Sequence, residues 1–173
     1  FFRCYSLRTA GSFNLPIVTT MANMFQYCYN LISIDNITTS TSLTNISAMY
    51  GQCWSLVSVP LFTTTNVNNA FQLHYQNYAL QSAPAYNFAN VTTTNAQQIF
   101  FFNTSLNSIP DMNFSNATSL NGTFQGCYSL ITAPNVTTTT TLTDTSLMFY
   151  QCNSLKNPPN NAGFITTNVT NMN

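Results

Sequence analysis

Charge is what this chain lacks most. Asp, Glu, Lys and Arg together make up 3% of its 173 residues, with no Glu at all and a net charge of zero; an average globular protein carries about 25%. A chain this neutral offers no electrostatic footprint for nucleic acid, whose binding rests on basic patches, and none for anionic lipid. Nor does any apolar run approach the roughly 18–20 residues of a membrane-spanning helix. Glycine is scarce too, at five residues, and no Gly-rich phosphate loop is present. The three acids, Asp35, Asp111 and Asp144, fall far apart, so a catalytic carboxylate pair within about 10 Å has no support. The only His, His74, stands where other segments carry Phe or Tyr, and reads as a ring in a stack. Zinc finds no paired C-x-x-C ligands. The expectation is a protein that is not an enzyme and has no metal or other cofactor.

Apolar residues are plentiful, at 45%, with fourteen Phe and nine Tyr. Disordered chains are poor in aromatics, so a packed core is expected, with solubility resting on Asn, Thr and Ser. That composition points to an extracellular, cell-surface or virion setting.

Internal periodicity decides the fold. Cys4, Cys28, Cys53, Asn77, Asn103, Cys127 and Cys152 follow one another at spacings of 24, 25, 24, 26, 24 and 25 residues. Three residues after each of these anchors stands a Leu: Leu7, Leu31, Leu56, Leu80, Leu106, Leu130, Leu155. Three before each stands a ring: Phe1, Phe25, Tyr50, His74, Phe100, Phe124, Phe149. Seven after it Pro recurs in the last five periods, from Pro60 to Pro159, and ten before it an apolar residue such as Leu43 or Val67 recurs in most. One such period cannot bury its own apolar side; stacked periods turn each register into a continuous column.

The fold expected is therefore a leucine-rich-repeat-like solenoid of seven coils over residues 1–173, with short parallel strands stacked coil on coil and joined by loops. A strand is expected near each Leu-x-x-φ-Pro, ending at the Pro because Pro lacks an amide hydrogen. The Thr/Asn stretches that follow, such as Thr63–Asn66, read as β-like or turn. The segment from Leu142 to Cys152 and its equivalents reads as a short helix or 3-10 turn. Phe1-Phe2-Arg3-Cys4 opens in mid-motif, and Thr167–Met172 reads as entry to an eighth coil. The expectation is a length cut from a longer array, with copies of itself or flanking repeats stacking end to end.

Met24-Phe25-Gln26-Tyr27-Cys28-Tyr29-Asn30-Leu31 and Met148-Phe149-Tyr150-Gln151-Cys152-Asn153-Ser154-Leu155 carry a pattern that resembles the BspA-like and Mycoplasma-type surface-protein leucine-rich repeats of about 25 residues. The resemblance covers essentially the whole chain. It implies adhesion or surface display. The Thr/Asn richness is closer to phage fibre proteins, which leaves a structural module of a virion or extracellular filament as the alternative.

Five Cys is an odd number. Stacked anchors would lie about 4.8 Å apart, within reach of a disulfide, but side chains of one register point the same way. Two anchors are Asn, which a hydrogen-bonding ladder tolerates and a disulfide does not. The candidate binding face follows the anchors by one residue: Tyr5, Tyr29, Trp54, Tyr78 and Tyr128, broken at Thr104 and Asn153. If exposed, this row would stack on sugar rings or dock a protein; otherwise it covers the core edge or a neighbouring subunit. Thr39, Thr64 and Thr138 share another register, interrupted by Phe88, Phe114 and Gly163, so a regular water-ordering array is not expected. Nine N-x-S/T sequons, Asn103 among them, are about what this composition yields by chance.

Overall fold

The computed structural model describes residues 1–159 and 162–173, leaving out the side chains of Thr93 and Thr94. Among these residues three parallel pairs carry the regular structure. β1 (Thr9–Ala10) pairs with β3 (Ser33–Ile34), β2 (Phe13–Leu15) with β4 (Ile37–Thr39), and β5 (Met112–Asn113) with β6 (Val136–Thr137). In each pair the partners are 24 residues apart, as in Thr9 with Ser33 and Met112 with Val136. Single parallel bridges continue the scheme, among them Ser82 with Ser108, Asn87 with Asn113, and Thr132 with Asn157. The chain thus pairs with itself one sequence period on, the offset that the anchors set.

Side-chain alternation follows from the pleat. In β4, Ile37 is buried, Thr38 exposed and Thr39 half-buried; in the equivalent stretch Val136 and Thr138 are buried around exposed Thr137. The Thr39, Thr64 and Thr138 register therefore turns inward, and Thr64 Oγ1 accepts the Asn87 amide at 2.9 Å. The Leu register is fully buried from Leu31 to Leu130. The ring register makes one column: Phe1, Phe25, Tyr50, His74, Phe100, Phe124 and Phe149 stack in order, centroids 5.1–6.0 Å apart and planes within 4–13°.

Among the described residues the segments before the anchors hold no α-helix, and a 3-10 turn, the other form expected there, occurs before Asn103 alone. Residues 142–152 form turns, and the only helical piece among the described residues is a 3-10 turn at Thr93–Ala96. The reason lies in the backbone. Among the described residues positive φ occurs at thirteen, and all fall in two registers, one and five before the anchor. Arg3, Tyr27, Gln52, Gln76, Phe102, Gly126 and Gln151 form the first set; Asn23, Ala48, Gln72, Gln98, Gly122 and Leu147 form the second. A left-handed residue at each site costs about 1–2 kcal/mol when it is not Gly, and it interrupts any helix. In return it turns alternate amides toward the next period: Met21, Asn23, Phe25 and Tyr27 donate to the carbonyls of Asn45, Ser47, Met49 and Gly51 at 2.8–3.0 Å. The same four bonds recur from Ile46, Ala48, Tyr50 and Gln52 and from Leu120, Gly122, Phe124 and Gly126. Gln is favoured at the strained sites because its side chain bridges periods as well, Gln52 Nε2 donating to Gln76 Oε1 and Gln72 Nε2 to Gln98 Oε1.

Two glycines test this geometry. A Cβ on Gly126 would lie 2.8 Å from Phe102 Cγ, whereas one on Gly122 would meet the flexible Gln125 side chain at 3.1 Å. Both carry the left-handed strain, so their difference isolates the ring contact. Gly126→Ala is expected to destabilise by about 2–3 kcal/mol and Gly122→Ala by about 1. Urea unfolding reads both, and Phe102→Ala in the Gly126→Ala background should recover most of the gap.

A candidate interaction face beside the anchor ladder

Cys28, Cys53, Asn77, Asn103 and Cys127 are fully buried, Cys152 nearly so, and Cys4 is exposed. All five Cys are free thiols. Cys28 Sγ donates to the Phe1 carbonyl at 3.0 Å, Cys53 to Phe25 at 3.1 Å, Cys127 to Phe100 at 3.2 Å and Cys152 to Phe124 at 3.1 Å. Asn103 Nδ2 makes the same bond to His74 O at 2.7 Å. Each of these five anchors thus ties the ring residue of the preceding period. Its other end accepts the amide of the preceding anchor: Cys53 N to Asn77 Oδ1 at 2.8 Å, and Asn77 N to Asn103 Oδ1 at 3.1 Å. The sulfurs of Cys28, Cys53, Cys127 and Cys152 take the corresponding backbone bonds. A thiol and a carboxamide interchange here because each supplies one donor and one acceptor along the stack. Asn77 is the departure: its Nδ2 has no partner, and neither do its neighbours' Tyr50 Oη and His74 Nδ1.

Burial raises the thiol pKa of Cys28, Cys53 and Cys127, and that of Cys152 to about 11. Thiolate is the reactive form. A disulfide-exchange reagent at pH 8 is therefore expected to titrate Cys4 at once and the other four at least about 100-fold more slowly, with all five reacting in denaturant. Reductant should leave the melting temperature unchanged. Rapid reaction of a second thiol in the folded chain would contradict the ladder.

One residue past the anchors the rings face solvent. Tyr5, Trp54 and Tyr78 are exposed and Tyr29 half-exposed. They stack on one another: Tyr5 on Tyr29 at 5.2 Å, Tyr29 on Trp54 at 4.0 Å, Trp54 on Tyr78 at 6.1 Å, with planes 15–29° apart. Tyr128 stands outside this run. It meets Phe102 edge-on at 5.9 Å, and Thr104 takes the place between, its Oγ1 donating to Tyr78 O. Four of the five residues read from the sequence come together; the fifth, Tyr128, packs with Phe102 in a separate group of rings.

More rings were left out. Phe2, Tyr75, Phe101 and Tyr150 lie two before the anchor, Tyr27 and Phe102 one before it. Phe2 packs edge-on against Tyr27 and Tyr27 against Tyr29; Tyr75 stacks on Phe101 at 5.2 Å, and Phe101 packs on Phe102 at 4.7 Å. The phenol of Tyr75 is raised by partial burial first, then by Tyr78 and Tyr27 nearby. Arg3 lies 5.0 Å over Phe2 and 5.5 Å over Tyr27. The signal available in sequence was that five of seven periods carry a ring at one of these two positions.

Among the described residues no group of three His, Cys, Asp or Glu is placed to hold a metal ion, and no helix is long and apolar enough to cross a membrane. A family model described as Mycoplasma protein of unknown function, DUF285, matches residues 1–107 and 65–173, so its two matches together span the chain. The chain belongs to this family. No curated protein and no solved structure matches it. The two overlapping matches are what a repeated unit produces, and the DUF285 match takes in both halves of the aromatic edge, Tyr5 to Tyr78 and Phe101 to Tyr128.

Proposed function

We propose that this DUF285 protein is a non-catalytic surface-display or adhesion module, built as a leucine-rich-type solenoid, whose aromatic edge docks a protein partner. Membership of a Mycoplasma family is compatible with a surface protein. The observation that carries the reading is the continuous run of outward rings from Tyr5 to Tyr78. Such rings give large contact area at low entropic cost, and Tyr and Trp dominate binding energy at interfaces. Within the run the closest rings cover one another's facing sides, Tyr29 on Trp54 at 4.0 Å and Tyr5 on Tyr29 at 5.2 Å. Edges and hydroxyls remain for a ligand, which suits a protein surface better than a sugar ring seeking an open aromatic face.

Beads coated with the chain test this against cells and a panel of extracellular proteins. Trp54→Asp with Tyr78→Asp is expected to remove adhesion while leaving the melting temperature within a few degrees, because both side chains are exposed. Adhesion that survives this pair would sink the reading. Glycan-array binding that depends on the same two residues would favour carbohydrate instead.

A further inference from the structure

The few charges are segregated by register. Arg3 lies one before an anchor, and Arg8 and Lys156 four after one. The acids lie elsewhere: Asp35 seven after, Asp111 eight after, Asp144 eight before. Two of them are engaged by their own chain. Asp111 accepts the Asn135 amide and Nδ2 at 3.0 and 3.2 Å, and Asp144 accepts from Ser146 and Ser119. No ion pair joins the cations to them among the described residues. The aromatic edge therefore has cations on it and beside it, and no carboxylate in its own registers.

The structure holds a hollow of about 350 Å³ lined by Ser6, Arg8, Asn30, Ile32 and Ser55. Ser6, Asn30 and Ser55 directly follow Tyr5, Tyr29 and Trp54 in sequence. Asn30 Nδ2 is spent on the Tyr5 carbonyl at 2.7 Å. The Arg8 guanidinium and the two serine hydroxyls are left as donors around one space. A guanidinium fork matches a carboxylate in a bidentate way. Aromatic edges are the positive part of the ring quadrupole and pack against the faces of other rings.

We propose that this hollow and the adjoining edge dock an acidic, phenylalanine- or tyrosine-bearing segment of a partner protein, with a carboxylate on Arg8 and ring faces on the edges of Tyr29 and Trp54. This rests on the protein-docking reading above and names the chemistry of the partner. A second copy of this chain fits poorly, since it has no Glu and its own edge also presents ring edges.

Trp54 is the only tryptophan and sits in the run, so its emission reports occupancy. A synthetic peptide of alternating Glu and Phe is titrated against the folded chain, beside a Gln/Phe peptide of the same length and polygalacturonate. The Glu/Phe peptide is expected to change Trp54 emission saturably. Binding should weaken about tenfold or more with the Gln/Phe peptide and in Arg8→Gln, and should fall as salt rises. Equal binding of the two peptides, indifference to Arg8→Gln, or no binding of the Glu/Phe peptide would overturn the proposal. Polygalacturonate binding as tightly as the Glu/Phe peptide would overturn the choice of a protein segment. Should Arg8→Gln adhere to partner proteins like the parent while Trp54→Asp with Tyr78→Asp does not, the acidic partner fails and the docking face stands.

Discussion

Asn103→Val is expected to lower the unfolding free energy by about 3–5 kcal/mol, and Asn103→Cys by about 1. The side chain is fully buried, and both its ends are bonded to backbone: Nδ2 to His74 O at 2.7 Å, Oδ1 to the Asn77 amide at 3.1 Å. Valine fills the space but leaves a buried carbonyl and a buried amide unsatisfied, each costing about 1–3 kcal/mol. Cysteine restores a weaker version of both bonds, as Cys127 does one period on. Urea unfolding at neutral pH separates the two variants. Equal destabilisation by Val and Cys would mean that volume governs this register and the ladder does not.

Acid is expected to weaken the fold through His74 before the carboxylates titrate. The ring is fully buried in the aromatic column between Tyr50 and Phe100, with Nε2 3.1 Å from Tyr86 Oη and Nδ1 unpartnered. Burial pulls its pKa from 6.5 down to about 3. Below pH 6.5 the unfolded chain therefore binds a proton that the folded chain refuses. Unfolding free energy falls as pH drops through this window, by on the order of 3 kcal/mol between pH 6.5 and pH 4, and the loss ends near the folded pKa. Asp144 acts lower down. Partial burial pushes its carboxyl up, but hydrogen bonds from Ser146 and Ser119 outweigh that and hold its pKa below the ordinary value, so its contribution is lost only as pH falls through the carboxylate range. His74→Phe with Tyr86→Phe removes the titrating ring and the hydroxyl it would orphan. That double variant should show a flat urea midpoint from pH 6.5 to pH 4, where the parent declines. A parent midpoint equally flat there would overturn the assignment.

The columns were legible in sequence because burial constrains residue type at a fixed period. Leu three after the anchor and a ring three before it are read directly, and both prove to be packed columns. The Cys/Asn alternation was legible as chemistry, since only a donor–acceptor role is common to the two. The turns before each anchor were not. Left-handed backbone is normally announced by Gly, yet at Tyr27, Gln52, Ala48 and Leu147 it is held by the neighbouring period's carbonyls, and a partner 23 to 26 residues away leaves no local mark. The aromatic face was half legible for a related reason. Tyr5, Tyr29, Trp54 and Tyr78 share one register, while Tyr75, Phe101 and Phe102 come from two others that only the turns bring alongside.

The amides that run from period to period before the anchors have an electrical consequence. In each period the carbonyl of a peptide unit points toward the preceding period and its amide hydrogen toward the next, as between Ser47 and Ala48, whose carbonyl accepts from Asn23 and whose amide donates to Phe71. Each such unit carries a dipole of about 3.5 D, and those of successive periods add head to tail as they do in a helix. In that segment the backbone is polar along one direction, positive toward the higher-numbered periods. Amides elsewhere in each period run back, as from Ser55 to Tyr29 and from Val57 to Ile32, and the formal charges oppose it too, with Arg3 and Arg8 in the first period and Asp111 and Asp144 in later ones. The dipole of the folded chain is the resultant of these terms, and transient electric birefringence measures it against the unfolded chain.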